Sequence, residues 1–417
     1  MVAGLVTALV GFSASFALVV VGLRAVGADQ RQAVSALCTL CLAVGALNIW
    51  YAVSTRKPIS VAWSTPGAAL LASAGHQHGG YPAAIGAFIV AGVLVVATGL
   101  SSRLVGWIGR IPGPITSALL AGVLWPLCLA PVRALVQLPG LAIAPIVAWL
   151  LLSRLARRWA APGALAAVLT EVAVRRHAGP PGAGLVPQLT FTVPRFTVGA
   201  LVGIALPLFI ITMAAQNLSG QAVLRGLGYR TELRPALLGT GAVTALGAPL
   251  GVFAVCLAAI SAALAAGPDA HPDPRRRWIA TASAGVFYIA LGLSAALAAA
   301  LLAASPPLLI ETVAGLALIG TLGSALSNAV SDERHREAAV IAFAVTASGI
   351  SILSIGAAFW GLVCGLTIPV FFRRGTRAAA EPTTASQTPA TAPASHATPG
   401  IQGAEVNQPT SPRVGTT

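Results

Sequence analysis

Ser64, Thr65 and Gly67, in the stretch VAWSTPGAAL at 61–70, set two hydroxyls, a proline and a glycine inside an otherwise apolar run. That combination suits the start of a short helix. A hydroxyl caps the first turn, proline fills a position whose N–H has no intrahelical partner, and glycine admits close approach to the backbone. Such a helix end, with unpaired N–H groups and a partial positive charge, attracts a carboxylate or another anion. A second stretch, GAPLGVFAVC at 247–256, again places Pro249 and Gly251 beside apolar residues, with Phe253 and Cys256 following.

Other groups with chemistry are few. Cys38 and Cys41 form a CxxC on an apolar helical segment, without a second pair or a nearby His, and read as small core residues. His76-Gln77-His78 lacks a third ligand and reads as a solvated loop, so no metal site is expected. His271 shares DAHPDPRRRW (269–278) with Asp269, Asp273 and Arg275 to Arg277, which reads as charge pairing that orders a loop. Glu171 and Glu311 are the acids within or bordering apolar segments and are therefore the candidates for proton coupling. Both lie near segment ends, where a solvated carboxylate is the ordinary role. No Ser/His/Asp arrangement, intramembrane metal set or GxxxxGK[ST] loop is present, which argues against an enzyme, an ATP-driven pump and any cofactor.

The elements that position these residues are membrane spans. Of 417 residues, 56% are hydrophobic and 9% charged, with a mean hydropathy of +0.85. This is the composition of a multispanning α-helical membrane protein. The chain enters an apolar segment at once, without a basic leader or a small-residue cleavage site, so no removable signal peptide is expected. The net charge of +14 comes from short basic clusters between apolar runs. These are orientation signals and not a nucleic-acid surface.

Fourteen apolar segments are legible: 4–26, 32–53, 60–74, 81–101, 113–130, 139–157, 160–174, 197–223, 234–249, 251–266, 278–303, 306–327, 337–353 and 355–372. The third and tenth are short for a bilayer that needs about 20 helical residues. If all fourteen cross and the N-terminus is cytoplasmic, 19 of the 25 Lys and Arg fall inside; if the two short ones do not cross, the split is 15 against 10. The positive-inside rule therefore favours fourteen crossings with both termini cytoplasmic. Leu23-Arg24-Ala25-Val26-Gly27 after the first span is echoed by Leu224-Arg225-Gly226-Leu227-Gly228 after the eighth. Seven crossings separate the copies, so the second is inverted, as in inverted-repeat transporters. The expected fold is an all-α, seven-plus-seven inverted repeat with two discontinuous segments. Residues 1–374 form the transporter domain, with repeats at about 4–174 and 197–372, and 375–417 form a disordered cytoplasmic tail. The first discontinuous segment is read as a strand at 60–64 and a half-helix from Thr65. The second is read as an extended stretch at 250–255 and a half-helix from about Cys256.

Several stretches together resemble the benzoate:proton symporters (BenE type): AWSTPGAALL (62–71), LPLFIITMAAQN (206–217), VLRGLGY (223–229), LAAISAAL (257–264), DAHPDPRRRW (269–278) and REAAVIAFAVTASG (336–349). That family is similar, more distantly, to uracil permeases and sulfate-permease-type transporters. The resemblance implies a core and a gate domain, a fold that often forms dimers, and proton-coupled import of benzoate or a related aromatic acid across the inner membrane. The alternatives are a same-fold permease for another substrate (a substituted benzoate, a nucleobase or an inorganic anion) and a passive channel. It also implies substrate ligands on the eighth span, here Gln216 and Asn217. Their first-repeat counterparts at an offset of 201 are Ser15 and Phe16, with Ser13 nearby, and Phe12, Phe16 and Phe253 are available to pack on an aromatic ring. Ser64, Thr65, Gly67, Gly251 and Cys256 complete the expected site. In the family pattern position 253 is aromatic or His and 256 is often Asn, where this chain has Phe253 and Cys256, and the usual SQN.PG reads AQNLSG here, with Ala215 and Ser219.

Overall fold

The computed structural model describes residues 2–75, 79–108, 110–175, 188–294, 305–350, 352 and 355–378. His76-Gln77-His78 and residues 379–417 of the expected tail lie outside them, whereas 375–378, expected to be disordered, continue the last helix. In the first repeat the helices are α1 (Val2–Ala25), α2 (Gln30–Thr55), α3 (Thr65–Ala74), α4 (Gly80–Leu100), α5 (Ser102–Ile108), α6 (Gly113–Cys128), α7 (Ala130–Gln137), α8 (Pro139–Leu155) and α9 (Ala160–Arg175). The second repeat has α10 (Val198–Gly226), α11 (Leu233–Gly247), α12 (Ala259–Ala266), α13 (Trp278–Leu293), α14 (Pro307–Ala329), α15 (Arg336–Ala347) and α16 (Ala357–Ala378). Two short strands, β1 (Val61–Trp63) and β2 (Val255–Leu257), precede α3 and α12. Among the described residues six helices are long and apolar enough to cross a membrane. Each segment read from the sequence finds its element; the short α5 and α7 between them were not anticipated.

The repeat is written into local geometry. Gly27 and Gly228 both take the left-handed conformation, at φ 98° and 87°. Each donates to the carbonyl three residues back, Arg24 or Arg225, and the next residue donates to Leu23 or Leu224, at 2.9 to 3.0 Å. This paired C-cap needs a residue without Cβ at the reversal. The helix crossings repeat as well. α2 packs on α13 and α4 on α11, and each crossing closes glycine on glycine. A Cβ at Gly45 would lie 2.6 Å from the Gly285 carbonyl oxygen, and one at Gly92 would lie 2.9 Å from that of Gly241. Small residues at such crossings let backbones approach without a side chain between them.

Two bundles result. α1 to α4 and α10 to α13 pack mainly among themselves, whereas α6 packs on α14 and α15, and α8 on α9. α1 against α14, and α3 against α6, join the two. Loop contacts gather on two faces. Gln32 donates to Thr192 at 3.3 Å, the Thr192 N–H to Pro249 at 2.8 Å and the Arg195 N–H to Pro82 at 2.9 Å, on one face. Lys57 donates to the Arg230 carbonyl at 2.6 Å, Tyr229 to that of Pro274 at 2.9 Å, and Arg56 lies over Trp278 at 4.7 Å, on the other.

Candidate functional site

Inside the first bundle β1 and β2 pair antiparallel, Val61 opposite Leu257, Ala62 opposite Cys256 and Trp63 opposite Val255. Non-helical backbone at membrane depth persists only when its polar groups are satisfied by protein. The helices around the pair do this. Asn48 of α2 accepts from the Val61 N–H at 2.9 Å and donates to the Val61 carbonyl at 2.7 Å. Thr244 of α11, at the repeat-related position, accepts from the Val255 N–H at 3.0 Å. Asn217 of α10 accepts from the Leu257 N–H at 3.0 Å. The pair is closed at its ends by Ser64 N–H to Ala254 and Ala258 N–H to Ser60.

Because the strands are antiparallel, α3 and α12 leave the pair in opposite directions with their N-termini turned inward. The two ends are unequal. At α3 the Ser64 hydroxyl caps the Gly67 N–H at 3.0 Å and itself accepts from Thr212 of α10 at 3.0 Å. Pro66 has no N–H, so only Thr65 keeps a free one in that turn. Gly67 lets α10 come close, since a Cβ there would lie 2.7 Å from Leu208 Cδ1 and that side chain would have to shift. At α12 the N-cap is Ala258, which has no capping side chain. Among the described residues the N–H groups of Ala259, Ile260 and Ser261 therefore have no side-chain partners. Ile260 is 68% exposed whereas Ala258 and Ser261 are buried, so only one side of this turn is open.

An aromatic cluster adjoins the strand pair. Phe12 stacks on Phe16 of α1 with centroids 4.8 Å apart. Trp63 meets Phe12 edge-on at 6.3 Å and Tyr288 of α13 at 5.7 Å. The Trp63 indole N–H donates to Ser15 at 2.9 Å, which fixes the ring. The Tyr288 hydroxyl lies against Gly11 of α1, where Ser261 of the open α12 turn also comes close. The cluster thus reaches the α12 N-terminus.

Of the residues singled out in the sequence, Ser15, Phe16, Ser64, Thr65, Gly67, Gln216 and Asn217 meet around this pair. Ser13 lies in the same helix but turns its hydroxyl to the Leu9 carbonyl at 2.5 Å. The Asn217 amide is fully buried and engaged at both ends, donating to Met213 Sδ at 3.3 Å. Gln216 is half-buried, and its side chain makes no hydrogen bond among the described residues. It lies in a wide π-helical stretch, Met213–Leu218, a distortion that often marks functional helices. The second half-helix starts at Ala259 and not at about Cys256. Pairing with β1 extends the strand through Leu257, and a turn at Gly251 (φ 90°) with Ala254 (φ 39°) precedes it. Cys256 consequently sits within the strand, its thiol 3.5 Å from the Ala62 carbonyl. Phe253 packs on Phe88 of α4 at 5.7 Å, away from the Phe12 cluster. Glu171 in α9 and Glu311 in α14, both half-buried, belong to the second bundle.

Sequence reasoning missed Asn48, Thr244, Trp63 and Tyr288. A buried polar residue in each of two repeat-related helices, at an offset of 196, is the signal that finds the first two. The His271 loop behaves as expected. Arg277 donates to the carbonyls of Ala266 and His271 at 2.8 Å, closing the C-terminus of α12, and Arg276 pairs with Asp273 at 3.7 Å.

The comparisons with known proteins agree with this architecture. A family model described as "BenE: Benzoate membrane transport protein" matches residues 1–371. The chain is 37% identical over 373 residues to the inner membrane protein YdcO of Escherichia coli (strain K12), covering 88% of this chain and 93% of that protein. It is 27% identical over 372 residues to the benzoate membrane transport protein of Acinetobacter baylyi (strain ATCC 33305 / BD413 / ADP1), with the same coverage of 88% and 93%. Among solved structures it shares the fold of the transmembrane domain of the cyanobacterial bicarbonate transporter BicA. There the TM-score is 0.54 at 13% identity, over 87% of this chain and 96% of that one. It is also similar to SLC26A9, with a TM-score of 0.59 at 10% identity, over 89% of this chain and 65% of that one. Likeness along nearly the whole span region, joined to this inverted-repeat fold, makes the chain a multispanning inner-membrane member of the BenE benzoate membrane transport protein family.

Proposed function

We propose that this protein imports benzoate or a closely related aromatic carboxylate by proton symport. The observation that carries the proposal is the uncapped N-terminus of α12 beside the Phe12–Phe16–Trp63–Tyr288 cluster. An anion at a partly buried helix N-terminus gains up to about 2 kcal/mol, and hydrogen bonds to a charged group contribute about 1.5–3 kcal/mol each. A stacked or edge-on ring adds about 0.5–1.5 kcal/mol. The carboxylate therefore supplies most of the affinity and the ring selects an aromatic acid over an inorganic anion.

In this reading the N–H groups of Ala259, Ile260 and Ser261 receive the carboxylate, with Gln216 and Thr65 as further donors. Ser15, Ser64, Gly67 and Asn217 hold the strand pair and ring cluster in place; Ser13, Phe16, Gly251, Phe253 and Cys256 support them by packing. The first bundle moves against the second to give alternating access. The proton travels on Glu171 or Glu311, or on the substrate carboxyl itself. Residues 1–374 carry transport, both termini and the tail at 375–417 are cytoplasmic, and the working unit is a homodimer.

The test is uptake of labelled benzoate by proteoliposomes with and without an inward proton gradient, against protein-free liposomes. Gradient-dependent accumulation, suppressed by excess unlabelled benzoate, is expected. Uptake equal to the protein-free control overturns the proposal.

A further inference from the structure

α5 carries an unassigned cationic cleft. It lies between α4 and α6, which are both membrane spans, and so at a membrane face. Arg103, Trp107 and Arg110 follow one another at spacings of four and three, which puts them on one side of a helical turn. The turn continues past Ile108 through a hydrogen bond from the Arg110 N–H to the Trp107 carbonyl at 3.1 Å. An open cleft of about 650 Å³ is lined by Arg103, Leu104, Gly106, Trp107 and Arg110. Trp107 is 56% exposed and Leu104 39%. Neither guanidinium makes a hydrogen bond or an ion pair among the described residues, and the sequence has no Asp or Glu between Asp29 and Glu171.

Two uncommitted guanidiniums flanking an exposed indole and a leucine form an amphipathic surface. A soluble anion would use the charges but not the apolar wall of Leu104 and Trp107. A lipid with an anionic headgroup uses both, because its phosphate meets the guanidiniums while the indole and leucine meet its glycerol and first acyl carbons.

We propose that this cleft binds the headgroup of an anionic phospholipid. The site sits on the connection between the two bundles, since α4 belongs to the first and α6 to the second. A lipid held there anchors the connection to the membrane surface while the bundles move.

The experiment is native mass spectrometry of the full chain, released from detergent with equal phosphatidylglycerol and phosphatidylcholine. Retained phosphatidylglycerol should exceed phosphatidylcholine and fall about tenfold or more in Arg103→Gln/Arg110→Gln, each basic residue being worth about a factor of five at a membrane surface. Arg103→Lys/Arg110→Lys should keep most of it. Equal retention by wild type and the Gln variant overturns the proposal, as does loss of the lipid on adding millimolar inorganic phosphate, which marks a free-anion site. If the Gln variant does not fold, quenching by brominated lipids decides on wild type and Trp107→Phe. Brominated phosphatidylglycerol should quench more than brominated phosphatidylcholine, and the excess should vanish in Trp107→Phe. Equal quenching by the two lipids refutes the site.

Discussion

Asn48→Ala tests how the strand pair is held. The substitution removes three hydrogen bonds at once: to the Val61 N–H at 2.9 Å, to the Val61 carbonyl at 2.7 Å and to the Val44 carbonyl at 2.9 Å. Val61 is fully buried, so its N–H and carbonyl lose a partner that water does not replace. A buried backbone group left unpaired costs about 1–3 kcal/mol, which gives roughly 2–5 kcal/mol for the two once some relief at the carbonyl is allowed. Hydrogen bonds between membrane helices average only about 0.6 kcal/mol, because their groups find other partners when the helices separate. A strand edge has no helical carbonyl to turn to, so the larger figure applies. Thr244→Val, at the repeat-related position, is nearly isosteric and exposes only the Val255 N–H, for about 1–2 kcal/mol. Thermal unfolding of both variants in detergent at one scan rate should place Asn48→Ala well below Thr244→Val, and Thr244→Val below wild type. Equal midpoints, or the reverse order, would refute the strand clamp.

Gln216→Ala and Thr65→Val should weaken benzoate binding severalfold while leaving the unfolding midpoint near wild type, since neither side chain makes a hydrogen bond among the described residues; a matching loss of stability would make them structural. Asn217→Ala should do the opposite first, lowering the midpoint by freeing the buried Leu257 N–H, and reduce uptake through the displaced strand. Gly251→Ala should abolish folded expression, because φ is 90° and a Cβ would lie 2.3 Å from Ala36 Cβ; normal yield in membranes would contradict that geometry. In the loop before α15, His335 at 2.7 Å and the Arg334 N–H at 3.0 Å hold the Asp332 carboxyl below its ordinary range. Its contribution is present above the ordinary aspartate value and is lost as pH falls through the lowered one, so the protection of the 332–336 amides, taken relative to their intrinsic exchange rates, should fall only below the ordinary aspartate value. Loss of protection near neutral pH would contradict this assignment.

The fourteen segments and their inversion were legible because span length, charge asymmetry and the LRxxG echo are one-dimensional signals. Ser64, Pro66 and Gly67 located the first half-helix correctly because capping chemistry is local. The second was displaced to Cys256 because strand pairing with residues nearly 200 positions away decides where it begins, and nothing local marks Ala258 as a cap. The same distance hid Trp63 and Tyr288, which resemble interface anchors or core aromatics until α1 and α13 bring them together. Asn217 was legible as a polar residue at span depth, but its bond to Leu257 became visible only with the strand in place.

The most direct measurement compares benzoate with benzamide, its neutral near-isostere, by calorimetric titration of the purified full chain. If the open α12 turn receives a carboxylate, benzoate binds and benzamide is weaker by at least about tenfold, the loss of one charge-assisted hydrogen bond or more. Equal binding of the two, or no benzoate binding up to millimolar concentration, would contradict the account.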